Sequence, residues 1–178
     1  MAKTYTAAGS AVAGDVYTAA AHNVIVTDVN NFIVPAAVRL DKSASQLVSN
    51  ATDTIITWPS SATFDTDSMY SSSATDRVTV TTAGIYIVTA NIAFGNANVG
   101  ERIVWLQKNA TGTTRFAMAR SMASTGGETI VSISTIVSLS ASDYVQLGCY
   151  QANGTSLNVL GSGTQPTNLA LTWIGRTS

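Results

Sequence analysis

Few residues in this chain have the types and spacing to do chemistry. It holds a single histidine, His22, and a single cysteine, Cys149, in 178 residues. A Ser-His-Asp or Cys-His arrangement would need His22 as its base, yet the surrounding AAAHNVIV offers no acid to orient the ring. A packing or solvated imidazole is the competing reading. Cys149 cannot form an intrachain disulfide. In YVQLGCYQ it alternates with Val145 and Leu147, which predicts a small buried hydrophobe.

Carboxylates are the other candidates. Asp65-Thr66-Asp67 sets two of them two residues apart, and Asp53 or Asp76 would add hard oxygen ligands suited to calcium. Aspartates that cap their own backbone in a turn compete with that reading, and no spaced set ending in glutamate follows. Asp65, Asp67 and Glu128 are also the acids on which a polysaccharide depolymerase or lyase would draw. Zinc is excluded for want of a His or Cys cluster. GSGTQP and GIYIVT lack the spacing and strand-to-helix context of a phosphate loop. The expectation is a non-enzymatic chain with no cofactor and no metal. Asn50-Ala51-Thr52, Asn109-Ala110-Thr111 and Asn153-Gly154-Thr155 match glycosylation sequons, which a chain rich in Ser and Thr produces by chance.

The totals narrow the partners. Hydrophobic residues make up 46% and charged residues 11%, with a formal net charge of -1. Scattered positive residues leave no footprint for a phosphate backbone, so nucleic acid is not expected. No apolar run approaches the roughly 20 residues needed to cross a bilayer. The opening MAKTYTAAGSAVAGD lacks the basic-then-apolar order of a secretion signal, which predicts a soluble chain made in a cytoplasm. With so little charge, much of the surface must be Ser, Thr, Asn and Ala, or be covered by partners.

The elements that must position these residues read as strands. Pro35 marks a joint, because proline restricts its own backbone and that of its predecessor. Residues 1–35 form an arm and 36–178 a domain. Within the arm, Thr18 can cap a helix over AAAHNVIVTDVNN, where Ile25, Val29 and Phe32 recur at helical spacing, although the β-branched run from Val24 to Thr27 opposes it. Beyond Pro35, alternation predicts strands at Ala37 to Leu40, Thr54 to Trp58, Arg77 to Thr81, Ile85 to Phe94, Arg102 to Lys108, Thr114 to Ala119, Thr129 to Leu139, Tyr144 to Gln151, Ser156 to Leu160 and Asn168 to Ile174. Asn109 to Gly112 and Asn153-Gly154 are hairpin signals, Gly126-Gly127 is a loop, and Gly84 supplies backbone freedom between two strands. That number of short strands predicts an all-β, two-sheet antiparallel sandwich.

The stretch from Phe64 to Phe94 is the most telling. In GIYIVTANIAF, Tyr86, Val88, Ala90, Ile92 and Phe94 share one face while Ile85, Ile87 and Ala93 lie on the other. A sandwich core covers only one face of a sheet, so the second apolar face asks for a neighbouring subunit. In TIVSISTIVSL, Val131, Ile133, Val137 and Leu139 alternate with serines, giving one buried and one polar face.

The order of blocks from about Pro35 to Gly175 resembles the jelly roll of the tumour necrosis factor and complement globular-head superfamily. PAAVRLDKSASQLV, TIITWPSSATFDTDSMYS, RVTVTTAGIYIVTANIAF, RIVWLQKNATG, LSASDYVQLGCYQ and TNLALTWIG carry the likeness, with Ala83-Gly84-Ile85-Tyr86 its most specific step. The arm AGDVYTAAAHNVIVTDVNNFIVPAAVRL is similar to the opening of structural proteins of tailed bacteriophages and prophages. FDTDSM fits that pattern too, with Ser68 where glycine is more usual. The resemblance implies a homotrimer around a threefold axis, with Ile87, Thr89 and Asn91 near the axis together with Gln146 and Tyr150. It implies a virion protein assembled in a bacterial cytoplasm: a head decoration or head fibre whose residues 1–35 hold other capsid or tail proteins and whose jelly roll faces outward. The alternative is a tail-tip or vertex adhesion module that recognises a host surface glycan or protein, with Trp105, Tyr70 or Tyr150 as the aromatic a sugar stacks on.

Overall fold

A computed structural model describes residues 18–110, 115–161 and 167–177. Ahead of the strands runs α1 (Ala19–Ile33). Thr18 takes an extended backbone and its hydroxyl accepts the Ala21 amide at 3.2 Å, satisfying one of the donors a helix start leaves open. The β-branched run does not stop the helix: the Thr27 hydroxyl donates to the Asn23 carbonyl at 2.8 Å, and Phe32 of the same helix packs on Trp173, a tertiary contact of the kind that overrides local propensity. Val34 donates the last backbone bond, to Asn30, and Pro35 ends the element.

Twelve strands follow among the described residues, all paired antiparallel. One sheet of seven is built around β6 (Gly84–Phe94), which pairs along its length with β9 (Thr129–Leu139) and β12 (Asn168–Gly175). Beyond β12 lie β1 (Ala37–Asp41) and β4 (Phe64–Asp65), while β11 (Leu157–Val159) meets the far end of β6 and carries β2 (Gln46–Val48). The second sheet runs β3 (Thr54–Ile55), β10 (Tyr144–Gln151), β7 (Glu101–Lys108) and β8 (Arg115–Met122), with β5 (Val78–Thr79) also on β10. This is the expected two-sheet antiparallel sandwich. Alternation fills its core: Tyr86, Val88, Ile92 and Phe94 from one sheet meet Val104, Leu106, Val145 and Leu147 from the other, all fully buried. Each such side chain contributes roughly 1.5–3 kcal/mol relative to exposure.

Several expectations need correcting. β2 and β4 were not foreseen, since three and two residues are too few to show a period. The strands expected over Thr54 to Trp58 and Arg77 to Thr81 shrink to two residues each. At Ala83-Gly84 the chain passes from the second sheet, which holds β5, to the first, which holds β6. Gly84 is needed for close approach: a Cβ there would lie 2.1 Å from Nε1 of Trp173, which donates to the Ala83 carbonyl. Asn153-Gly154 likewise joins strands of different sheets. Asn109 and Ala110, both at positive φ, leave β7 towards its antiparallel partner β8, while Thr111, Gly112 and the Thr114 expected to open β8 lie outside the described residues.

The Asp65-Thr66-Asp67 segment organises its own turn. Asp65 accepts the amides of Asp67 at 3.1 Å and Tyr70 at 2.8 Å. Asp67 is 1% exposed and its Oδ2 accepts both the Thr81 and Thr82 hydroxyls, tying the turn to the approach of β6. Ser68, between them, sits at φ 55. This is the left-handed region that costs an L-residue about 1 kcal/mol or more, the physical reason glycine suits the position. Ser68→Gly is therefore expected to raise stability by about 0.5 kcal/mol, and Gly84→Ala to lower it by about 2 kcal/mol or more, both read from denaturant unfolding.

Cys149 is fully buried, as the alternation required, and burial pushes its thiol up to about 12 from 9.0. The folded state thus holds the proton more tightly than the unfolded chain does. Its contribution is complete below pH 9.0 and is lost as the pH rises towards 12. Unfolding free energy measured across that window should fall less steeply in Cys149→Val, and the native thiol should resist a disulfide reagent at pH 8 until the chain is denatured.

Candidate functional site

Because successive side chains alternate, the residues of β6 that do not enter the core stand together on the outer face of the seven-stranded sheet. Register fixes their neighbours. Ile87 faces Ile136 of β9 on one side and Thr172 of β12 on the other. Next come Ser134, Thr89, Ala170 and Arg39 in one row, then Ser132, Asn91, Asn168 and Asp41 in another. Ala93 and Ile130 close the far end. Ile87 is 37% exposed and Ile136 64%.

The surface is thus apolar at two ends with a belt of hydroxyls and amides between. A shallow recess of about 360 Å³ lies over the belt, lined by Thr89, Asn91, Ser132, Ser134 and Asn168. Its ions neutralise each other: Arg39 forks onto Asp41 at 2.9–3.1 Å, and that hydrogen bonding holds the Asp41 carboxyl below its usual range. Such a face presents no net charge, yet leaves large aliphatic side chains against water.

The structure brings together only part of the expected interface. Ile87, Thr89 and Asn91 do share this face. Gln146 and Tyr150 do not; they stand on the outside of the other sheet, across the full thickness of the sandwich. Gln146 is buried there between Gln107 and Asp76, donating to Asp76 at 2.6 Å. The odd-numbered residues of β6 and the even-numbered ones of β10 each point away from the core, but the two strands lie in different sheets, so those outer faces are on opposite sides of the sandwich. Sequence reasoning also missed Ile130 and Ile136, whose period matches the serines that made this side of β9 read as polar.

The aromatic candidates for stacking a sugar are covered. Trp105 is 1% exposed, with its ring over Gly148 and the Arg115 guanidinium 3.7 Å above the ring, itself paired with Asp53. Tyr70 is half-buried and its hydroxyl donates to the Pro59 carbonyl. Tyr150 is half-buried opposite Ile103. His22 stands on exposed helix, Glu128 is exposed between β8 and β9, and among the described residues no three His, Cys, Asp or Glu side chains gather as metal ligands would.

This topology has solved counterparts. Murine APRIL at pH 5.0 superposes with a TM-score of 0.61 at 14% identity, covering 78% of this chain and 98% of that one. The fold is that of the tumour necrosis factor family. A second form of murine APRIL, at pH 8.5, matches at 0.58 and 15% identity, and the Eiger TNF of S. frugiperda at 0.56 and 14%, covering 80% of this chain and 94% of that one. No family model and no curated protein sequence matches the chain. The TNF-like likeness therefore lives in the path of the strands, not in shared side chains.

Around Trp105 the second sheet is tight enough to test. A Cβ on Gly148 would fall 2.2 Å from the indole. Gly148→Ala is expected to cost about 1–3 kcal/mol and to shift indole emission to the red as the ring is lifted into solvent, whereas Gly127→Ala, with open space around it, changes neither.

Proposed function

We propose that this chain is a non-enzymatic bacteriophage virion protein, a homotrimeric head decoration or head fibre whose N-terminal arm attaches to the capsid and whose TNF-like domain faces outward. One observation carries the assembly: the outer face of the seven-stranded sheet, without net charge, with Ile87 and Ile136 exposed beside a Ser/Thr/Asn belt. Covering such a face removes aliphatic surface from water, while the belt can exchange hydrogen bonds between copies. Three copies around an axis give each the same neighbour and close the set. The virion placement rests on the phage-like arm sequence and on a surface with little charge.

Adhesion at a tail tip or vertex is the second reading, favoured by the outside of the other sheet. There Met118 and Met122 are exposed on the same face as Arg115 and Arg120, the adaptable and cationic side chains enriched in protein contacts.

Light scattering on the size-separated full chain should return three times the subunit mass of 18.4 kDa at micromolar concentration. Ile136→Asp should drive that mass towards a single subunit without loss of the β signal in circular dichroism. A single-subunit mass for the unaltered chain overturns the trimer. Quantifying the protein in particles purified from cells that carry its gene separates the placements: hundreds of copies per particle fit decoration, a handful fit adhesion, and none overturns both.

A further inference from the structure

The helix ahead of the jelly roll is covered on one side only. Val24 and Asp28 are half-buried, so this side rests on the end of the sandwich; Phe32, at its border with the exposed stripe, meets Trp173 edge-on with ring centroids 5.9 Å apart and stays 67% exposed. Turning away from it are Ile25, Val26, Val29 and Ile33, each 40–70% exposed. The polar residues Asn23, Thr27 and Asn30 occupy the opposite face. Helix α1 spans about 22 Å and a helix of its length is marginal in water by itself. This one also carries the poor helix formers Val24 to Thr27. Its stripe needs an occupant.

The spacing says which. His22, Ile25, Val29 and Phe32 follow one another at steps of three, four and three, the alternation that in a heptad keeps a seam turned towards a partner helix. An open recess of about 440 Å³ runs along this stripe, lined by Ile25, Asp28, Val29, Phe32 and Ile33. Identical parallel helices place like residues at the same level, so the β-branched Ile25 and Val29 would meet their own copies, a pairing of shapes suited to more than two strands. The only ionisable side chains on α1 are His22 and Asp28, so copies carry little mutual repulsion. The stripe also runs into the sheet face: Phe32 touches Trp173, exposed Ile174 follows in the chain, and the flanking Thr172 and Gly175 pair with Ile87 and Ile85.

We infer that α1 packs against the α1 of two further copies of this chain, forming a three-helix parallel coil through Ile25 and Val29 that continues the association face of the seven-stranded sheet. The number three rests on the trimeric reading above; the seam itself rests on the helix.

Disulfide trapping in the full chain tests it. Cys149 is buried and does not compete. Val29→Cys, oxidised under native conditions, should give covalent dimers holding about two-thirds of the chains, since in each coil of three one sulfur is left without a partner. Thr27→Cys, on the polar face, should give almost none. Adding Ile25→Asp to Val29→Cys should abolish the trapping. If Val29→Cys traps no better than Thr27→Cys while light scattering still gives a threefold mass, the coil is overturned and the trimer stands. Complete conversion to dimers overturns the count of three, and a single-subunit mass overturns both.

Discussion

Everything in this molecule hangs on the pairing of β6 with a long strand on each of its edges. Its two neighbours fix its register from Gly84 to Phe94, and a one-residue slip would turn every side chain to the wrong side. With that register set, Tyr86, Val88, Ala90, Ile92 and Phe94 have no choice but the core. The same constraint obliges Ile85 and Ile87 to face away from it. Apolar residues on the outside are thus the complement of the core in a strand that is rich in both.

Charge is spent sparingly and locally. Arg39 closes on Asp41 within β1 and Arg77 on its neighbour Asp76, while Lys108 on Asp143 and Arg115 on Asp53 each bind two distant segments of the chain. Exposed pairs of this kind add little to stability, but they leave few unpaired ions to repel or attract a neighbouring surface. Arg102 is the exception in kind. Fully buried, it bonds the carbonyls of Ala97, Val99 and Glu101 over the Phe94 ring, so it holds the chain entering β7 as a staple would.

Period-two alternation made the long strands legible: β6, β9 and β10 lie where GIYIVTANIAF, TIVSISTIVSL and YVQLGCYQ placed them, and Cys149 is buried among Val145 and Leu147. Thr18 gave the helix its start. What the sequence could not show was which sheet each strand joins. Alternation is the same for a strand in either layer, so the crossing between sheets at Ala83-Gly84 leaves no mark in the sequence, and Gln146 and Tyr150 read as sharing the face of Ile87. Trp105 was equally opaque, because the glycine beneath it and the arginine above it come from two other strands.

The junction between helix and sandwich has a mechanical meaning. Pro35 leads directly into β1, whose residues from Ala37 to Asp41 are each matched to β12, and β12 in turn to β6. A pull on the arm along the line of β1 would strain all of those matched pairs at once, in shear, instead of peeling them one by one. The arm is therefore tied to the molecule at a place where tension is shared, and a load on it would move the whole domain before it frayed the first strand.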